Sequence, residues 1–252
     1  SIEYLNGTVG RSDFAVVGSI SHYMDYLFAQ NPTLKGSMQL SSKFIDLNEF
    51  MTLQEGESGS KPEQQRFGVI EIPKGIDFVV TSKVETAALM DMVISQAKGN
   101  TIVKDGVAQL KGLQFSLLGG EFLVDGYYDP RDIDKPQYDL KLNIEQLSAN
   151  KAFETISVVK RYFPITQNID GQISYKVNIK GLLNQAMLPD LETLSAVGEL
   201  NINYAKLNNS AVIRGIGTLL GNKLFTNEQV AFNDLFMTFT IDDGLVKLKP
   251  FE

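Results

Sequence analysis

The chain has 252 residues, 43% of them hydrophobic and 21% charged, a net charge of −7 and no cysteine. That length and apolar content can build a sizeable core and exclude a generally disordered chain. The acidic balance without a basic run argues against nucleic acid and against an electrostatic grip on anionic lipid, and the lack of cysteine removes disulfides, thiolate metal sites and cysteine nucleophiles.

No apolar run approaches the roughly 20 residues that cross a bilayer, and no signal-peptide pattern is present. The chain opens on Ser1 and is at once mid-pattern at Ile2-Glu-Tyr-Leu. It is therefore expected to be a piece of something longer, with any signal or anchor outside it. Residues 1–20 predict two strands with a turn near Gly10-Arg11-Ser12-Asp13, and Phe14, Val16, Gly18 and Ile20 share one face of the second. Ser21 is placed to cap a short helix over 22–30 that stops before Asn31-Pro32. A strand over Leu34 to Ser42 and a helical turn over Leu47 to Met51 follow. Gln54 to Arg66 lacks apolar periodicity and is expected to be a mobile loop or linker. Strand character resumes over Ile70 to Val84, with Ile76, Phe78, Val80 and Ser82 alternating against Asp77, Val79 and Thr81, and Met90 to Ala97 is assigned to a strand because its flanks are strands.

Asp105 to Arg131 reads as two strands joined at Gly119-Gly120, entered through Asp105-Gly106 and left through Asp129-Pro130. Such dipeptides favour tight hairpins because the turn needs positive φ. Leu113, Phe115 and Leu117 alternate with Gln114 and Ser116, and Phe122, Val124 and Gly126 with Leu123, Asp125 and Tyr127. Further on, strands are predicted over Tyr138 to Ile144, Ile169 to Lys180 and Val197 to Tyr204, with a closing hairpin from Phe232 to Lys249 over Asp243-Gly244. Helices are predicted over Asn150 to Tyr162 after Ser148, near Leu191 after Pro189, and from Asn209 or Ser210 to Leu220.

Internal similarity is visible at two scales. Met38/Leu40, Leu140/Leu142 and Leu200/Ile202 occupy one pattern, each followed by a further apolar residue (Ile45, Leu147, Leu207) and an Asn-containing start to a helical segment. KDGVAQLKGL also matches DDGLVKLKPF. The implied fold class is α+β but mostly β: a long, twisted, folded-over antiparallel sheet of repeated hairpins with a few short helices at its ends or edges. Residues 1–53 form a strand-helix-strand repeat, 54–69 a flexible loop and 70–252 a hairpin and helix region continuous with the first.

Polar chemistry offers little. Gly119-Gly120 is not followed by a helix start, so a turn is preferred to a phosphate cradle, and Gly215 and Gly217 follow no strand. Asp129, Asp132 and Asp134 lack calcium-loop spacing. Asp242-Asp243 is a turn pair, and His22, the single histidine, has no GxSxG serine to serve. No catalytic residue, metal site or cofactor is expected. What remains is a surface, built from the rows Phe115/Leu117, Phe122/Val124, Ile173/Tyr175/Val177/Ile179, Leu200/Ile202/Tyr204 and Met237/Phe239/Ile241. With few helices to cover so many strands, the sheet either buries these rows as an ordinary core or leaves an apolar concavity suited to acyl chains.

GRSDFAVVGSI (10–20), DGVAQLKGLQFSLLGGEFLVDGYYD (105–129), LNIEQLSANKAF (142–153) and DGLVKLKPF (243–251) together resemble the AsmA family, in particular the AsmA-like C-terminal region of Bacteroidetes-type members. The resemblance implies a non-enzymatic protein of the Gram-negative envelope. It would be periplasmic, tethered to the inner membrane by an N-terminal anchor, with a folded-over sheet whose groove binds or conducts phospholipid in support of outer-membrane assembly and integrity. The alternative is a scaffold with a closed core that binds other envelope proteins and no lipid.

Overall fold

In the computed structural model, the described residues are 2–21, 33–52, 69–89, 91–156, 160, 164–185, 187–208, 230–242 and 245–250. Twelve strands form one sheet in which spatial order equals chain order. They are β1 (Ile2–Val9), β2 (Ser12–Ser21), β3 (Leu34–Asp46), β4 (Ile76–Leu89), β5 (Met92–Lys104), β6 (Val107–Leu117), β7 (Gly120–Asp129), β8 (Gln137–Ser148), β9 (Ile169–Leu182), β10 (Ser195–Leu207), β11 (Val230–Asp242) and β12 (Leu245–Pro250). Two short helices, α1 (Leu47–Thr52) and α2 (Ala149–Thr155), and a 3-10 turn (Pro164–Asn168) complete the described elements. The fold is thus the mostly β, long sheet expected from the period-two pattern.

Every neighbouring pair is antiparallel except β3 and β4, which run parallel from Leu34 opposite Ile76 to Asp46 opposite Ala88. A parallel pair needs a long crossover rather than a hairpin, and residues 47–75, beginning with α1, supply it. Of the three strand-helix units expected from the repeats, two are described, β3 followed by α1 and β8 followed by α2; the helix expected after β10 lies outside the described residues.

The sheet is bent by bulges. Register slips in β5 at Gln96, in β6 at Gly112, in β8 at Gln146 and in β10 between Asn201 and Tyr204. Gln96, Gly112 and Gln146 all have φ between 53° and 59°. A bulge bends its strand and raises the local twist. Its freed N–H groups are taken up by the next strand: Gly112 N–H donates to Asp125 Oδ1 at 2.7 Å and Gln146 N–H to Ser174 Oγ at 3.1 Å.

Helices gather at one rim. Ser148 caps α2, its Oγ accepting from the Lys151 N–H at 3.4 Å, Ala149 packs with Ile173, Ile202 and Ala205, and Ala152 is buried. At the same rim, the Glu49 carboxylate of α1 accepts from the Arg11 N–H (2.8 Å) and the Ser12 hydroxyl (3.1 Å) in the β1–β2 turn. At the opposite rim, Tyr138, Leu194, Ala196 and Ile241 form a second buried cluster under residues 183–194.

Several local expectations change. The hairpin turn uses Leu118 (φ 53°) and Gly119 (φ 82°), and Gly120 is the first residue of β7. Gly120 is needed there for space, since a Cβ would come within 2.9 Å of Glu145 O and Leu147 Cα. Residues 70–75 are not strand, and β4 begins at Ile76. No helix follows Pro189. That segment is a turn closed by a Leu183–Pro189 bridge, because Asp190 O takes the Thr193 N–H and its Oδ1 takes the Glu192 N–H. The helix of 149–155 is described only to Thr155, followed by Ile156 and Lys160. The predicted helices over 22–30 and 209–220, the 54–66 loop, His22, Gly215, Gly217 and the Asp243-Gly244 turn lie outside the described residues.

Candidate functional site

Side chains alternate faces along a strand, so the pairing register sorts the sheet into two surfaces. Phe115 lies opposite Phe122, Phe122 opposite Ile144, Ile144 opposite Tyr175, Tyr175 opposite Leu200, and Leu200 opposite Met237. One unbroken apolar row therefore crosses six strands. A second row runs beside it through Leu113, Val124, Leu142, Val177, Gly198 and Phe239. Leu117, Ile173 and Ile202 stand one step nearer the helical rim, the latter two beneath α2. Of the fourteen apolar candidates from the sequence, all but Tyr204 share this one face; the bulge in β10 turns Tyr204 to the other side, opposite Gln172, where it is exposed.

The wall extends beyond them. Met38, Val80, Thr101, Leu110, Gly126, Leu140, Ile179, Ala196 and Ile241 form a third row from β3 to β11. At about 4.8 Å between strands, the nine strands of this row make a strip about 38 Å long, longer than the roughly 30 Å hydrocarbon core of a bilayer.

The opposite face is mostly polar. Along it run Lys98, Gln114, Leu123, Asn143, Lys176, Glu199 and Thr238, with exposed apolar side chains at Val17, Val79, Val93, Tyr127, Val197 and Phe236. Two depressions of about 490 and 330 Å³ lie on this side, sharing Asn143, Lys176 and Glu199.

Burial along the apolar face is uneven. Ile173, Ile202 and Ala205 are buried at the helical rim, and Tyr138, Leu194 and Ala196 at the other. Between the rims Phe115, Phe122, Leu142, Ile144, Tyr175, Val177 and Leu200 are only half-buried, Val124 being the buried exception. Among the described residues the rims are covered and the middle is not filled.

Glycines show which way the sheet curves. A Cβ on Gly18 would lie 2.5 Å from Ser37 O, on Gly171 2.7 Å from Tyr204 O, and on Gly198 2.9 Å from Lys176 O. All three belong to the apolar face, and in each case the neighbouring backbone leans over it. The sheet is concave toward its apolar side at these seams, and only glycine leaves the room.

Three tyrosines put phenols on this face. Burial pushes each of Tyr128, Tyr138 and Tyr175 up to about 12, so all are neutral donors at physiological pH. Tyr128 donates to Ile70 O at 3.0 Å, and Met187 Sδ lies 3.6 Å away. Sequence reasoning passed over Tyr128 and Tyr138; their even spacing with Gly126 and Leu140 was the available signal.

Among the described residues no cluster of His, Asp or Glu could hold a metal, and no helix is long and apolar enough to cross a membrane. Asp129 is engaged by Arg131, whose Nε and Nη2 reach its oxygens at 2.8 and 2.6 Å. Asp132 accepts from the Asp134 N–H. Both are turn chemistry. Comparison of the chain with protein families, curated proteins and solved structures finds no match.

Proposed function

We propose that this chain is a non-enzymatic envelope module whose apolar sheet face holds or conducts phospholipid acyl chains. The observation that carries this reading is the row from Phe115 to Met237, continuous over six strands and only half-buried. Water against such a strip is costly, at about 25 cal/mol per Å² of apolar surface, and a methylene chain recovers roughly 0.8 kcal/mol per buried CH₂. No polar recognition is needed to hold a tail there. The motifs at 105–129 and 142–153 that resemble the AsmA family support a periplasmic location tethered to the inner membrane and a role in outer-membrane assembly. Native mass spectrometry of protein purified from a Gram-negative host tests the reading. Co-purified phospholipid is expected, and a lipid-free mass under gentle ionisation counts against it.

A second reading, a scaffold for other envelope proteins, is favoured by one edge. β1 pairs only with β2 and exposes Tyr4, Leu5 and Val9, a border with Glu3 as its single charge that another strand could extend. Loss of a co-isolated protein on Leu5→Pro, with lipid content unchanged, would favour it.

A further inference from the structure

Tyr138 projects from β8 onto the apolar face, opposite Tyr128 on β7 and Gly181 on β9. It is 6% exposed and packs with Leu194, Ala196 and Ile241. Its hydroxyl has no hydrogen-bond partner among the described residues. Buried polar atoms nearly always have a partner, because desolvating one without compensation is unfavourable. Phenylalanine would fill the same space without that penalty.

The surroundings narrow what the partner is. The buried cluster that holds the ring is bordered by Leu140, Ile179 and Phe239, so a partner reaching it along the sheet travels on an apolar carrier. The phenol, pushed up to about 12 by burial, stays protonated and needs an acceptor. Asp190 already places negative charge near it, which disfavours a carboxylate and favours a neutral carbonyl.

We propose that Tyr138 is the polar anchor of the trough, its O–H donating to the ester carbonyl of a lipid whose chain runs over Leu140 and Leu142 toward Phe122. This rests on the acyl-binding reading above and adds the end of the lipid that sits at this rim. Access lies beneath the strap that carries Leu183, Met187, Pro189 and Leu194. The Leu183–Pro189 bridge closes that strap, and its Met187 reaches Tyr128 through a weak O–H···S contact at 3.6 Å. Lifting it exposes Tyr138.

Tyr138→Phe isolates the hydroxyl and leaves the ring. Delipidated wild type and variant are compared by thermal unfolding and by titration with methyl oleate, oleate and 1-octadecene. Relief of an unpartnered hydroxyl raises the unfolding midpoint of Y138F. The variant binds methyl oleate about tenfold more weakly, the loss of one hydrogen bond, and binds 1-octadecene as wild type does. Wild type prefers methyl oleate to oleate. Equal binding of methyl oleate by both proteins, or a lowered midpoint showing that water already satisfies the hydroxyl, overturns the anchor alone. Wild type that binds none of the three probes overturns the acyl-binding reading with it.

Discussion

Phe115 and Phe122 stack across the β6–β7 seam with ring centroids 4.9 Å apart and planes 10° from parallel. They are directly paired residues on the apolar face, so the hairpin that Leu118 and Gly119 close is also the aromatic centre of the wall. Truncating either ring removes half-buried apolar area. Phe122→Ala is expected to destabilise by about 1–3 kcal/mol, less than a fully enclosed phenylalanine. The double mutant with Phe115→Ala should show a coupling of about 0.5–1.5 kcal/mol, measured by urea unfolding. Strict additivity would mean the stack contributes nothing beyond its area.

Leu118 takes positive φ in the same hairpin, a conformation that costs a residue with a bulky side chain about 1–2 kcal/mol. The adjacent turn at Asp105-Gly106 (φ 51° and 79°) uses residues suited to that geometry. Leu118→Asn is therefore predicted to stabilise by about 0.5–1 kcal/mol, read as a rise in the urea midpoint at constant slope.

Concavity makes its own demand. Gly18→Ala sets a methyl against Ser37 O, a backbone atom that cannot rotate away. The expected loss is about 1–3 kcal/mol. Gly7→Ala, which meets only the Phe14 ring tip at 3.0 Å, should cost much less, since a side chain can shift. Equal losses would mean the strain is not from sheet curvature.

Acid should loosen the β2–β3 seam. The Asp13 carboxylate accepts from the Phe44 N–H at 2.7 Å, from the Lys43 N–H and from the Ser42 hydroxyl. These donors, Phe44 foremost, hold its carboxyl below the ordinary carboxylate range. The folded state thus releases this proton more readily than the unfolded state. Its stabilisation is complete at neutral pH and is lost as pH falls through the ordinary range to the lower folded-state value. Asp13→Asn should lower stability at neutral pH and flatten that acid limb in denaturant midpoints taken against pH.

The faces were legible in sequence because period-two patterning maps directly onto a pleated sheet. Phe14/Val16/Gly18/Ile20 and Phe122/Val124/Gly126 fell where their alternation put them. Pairing was not, because the parallel alignment of β3 with β4 depends on a crossover and leaves no local mark. The bulges at Gln96 and Gln146 were hidden for a related reason: glutamine carries no signal for positive φ, and a slip shows only once both strands are in place. The Gly119-Gly120 pair pointed to the right hairpin but the wrong central residues, since Gly120 answers to crowding by Glu145 and Leu147 rather than to turn geometry. Tyr138 read only as the start of a strand, and its unpartnered hydroxyl is a property of packing alone.

The central claim, that lipid lies on one face of this sheet, is tested most directly by photocrosslinking in living Gram-negative cells. A benzophenone side chain is placed in turn at Phe122 and Tyr175 on the apolar face, and at Lys141 and Asn178 on the polar face. The account predicts phospholipid adducts at Phe122 and Tyr175 and none at Lys141 or Asn178. Adducts absent from the apolar pair, or equally frequent on both faces, would contradict it.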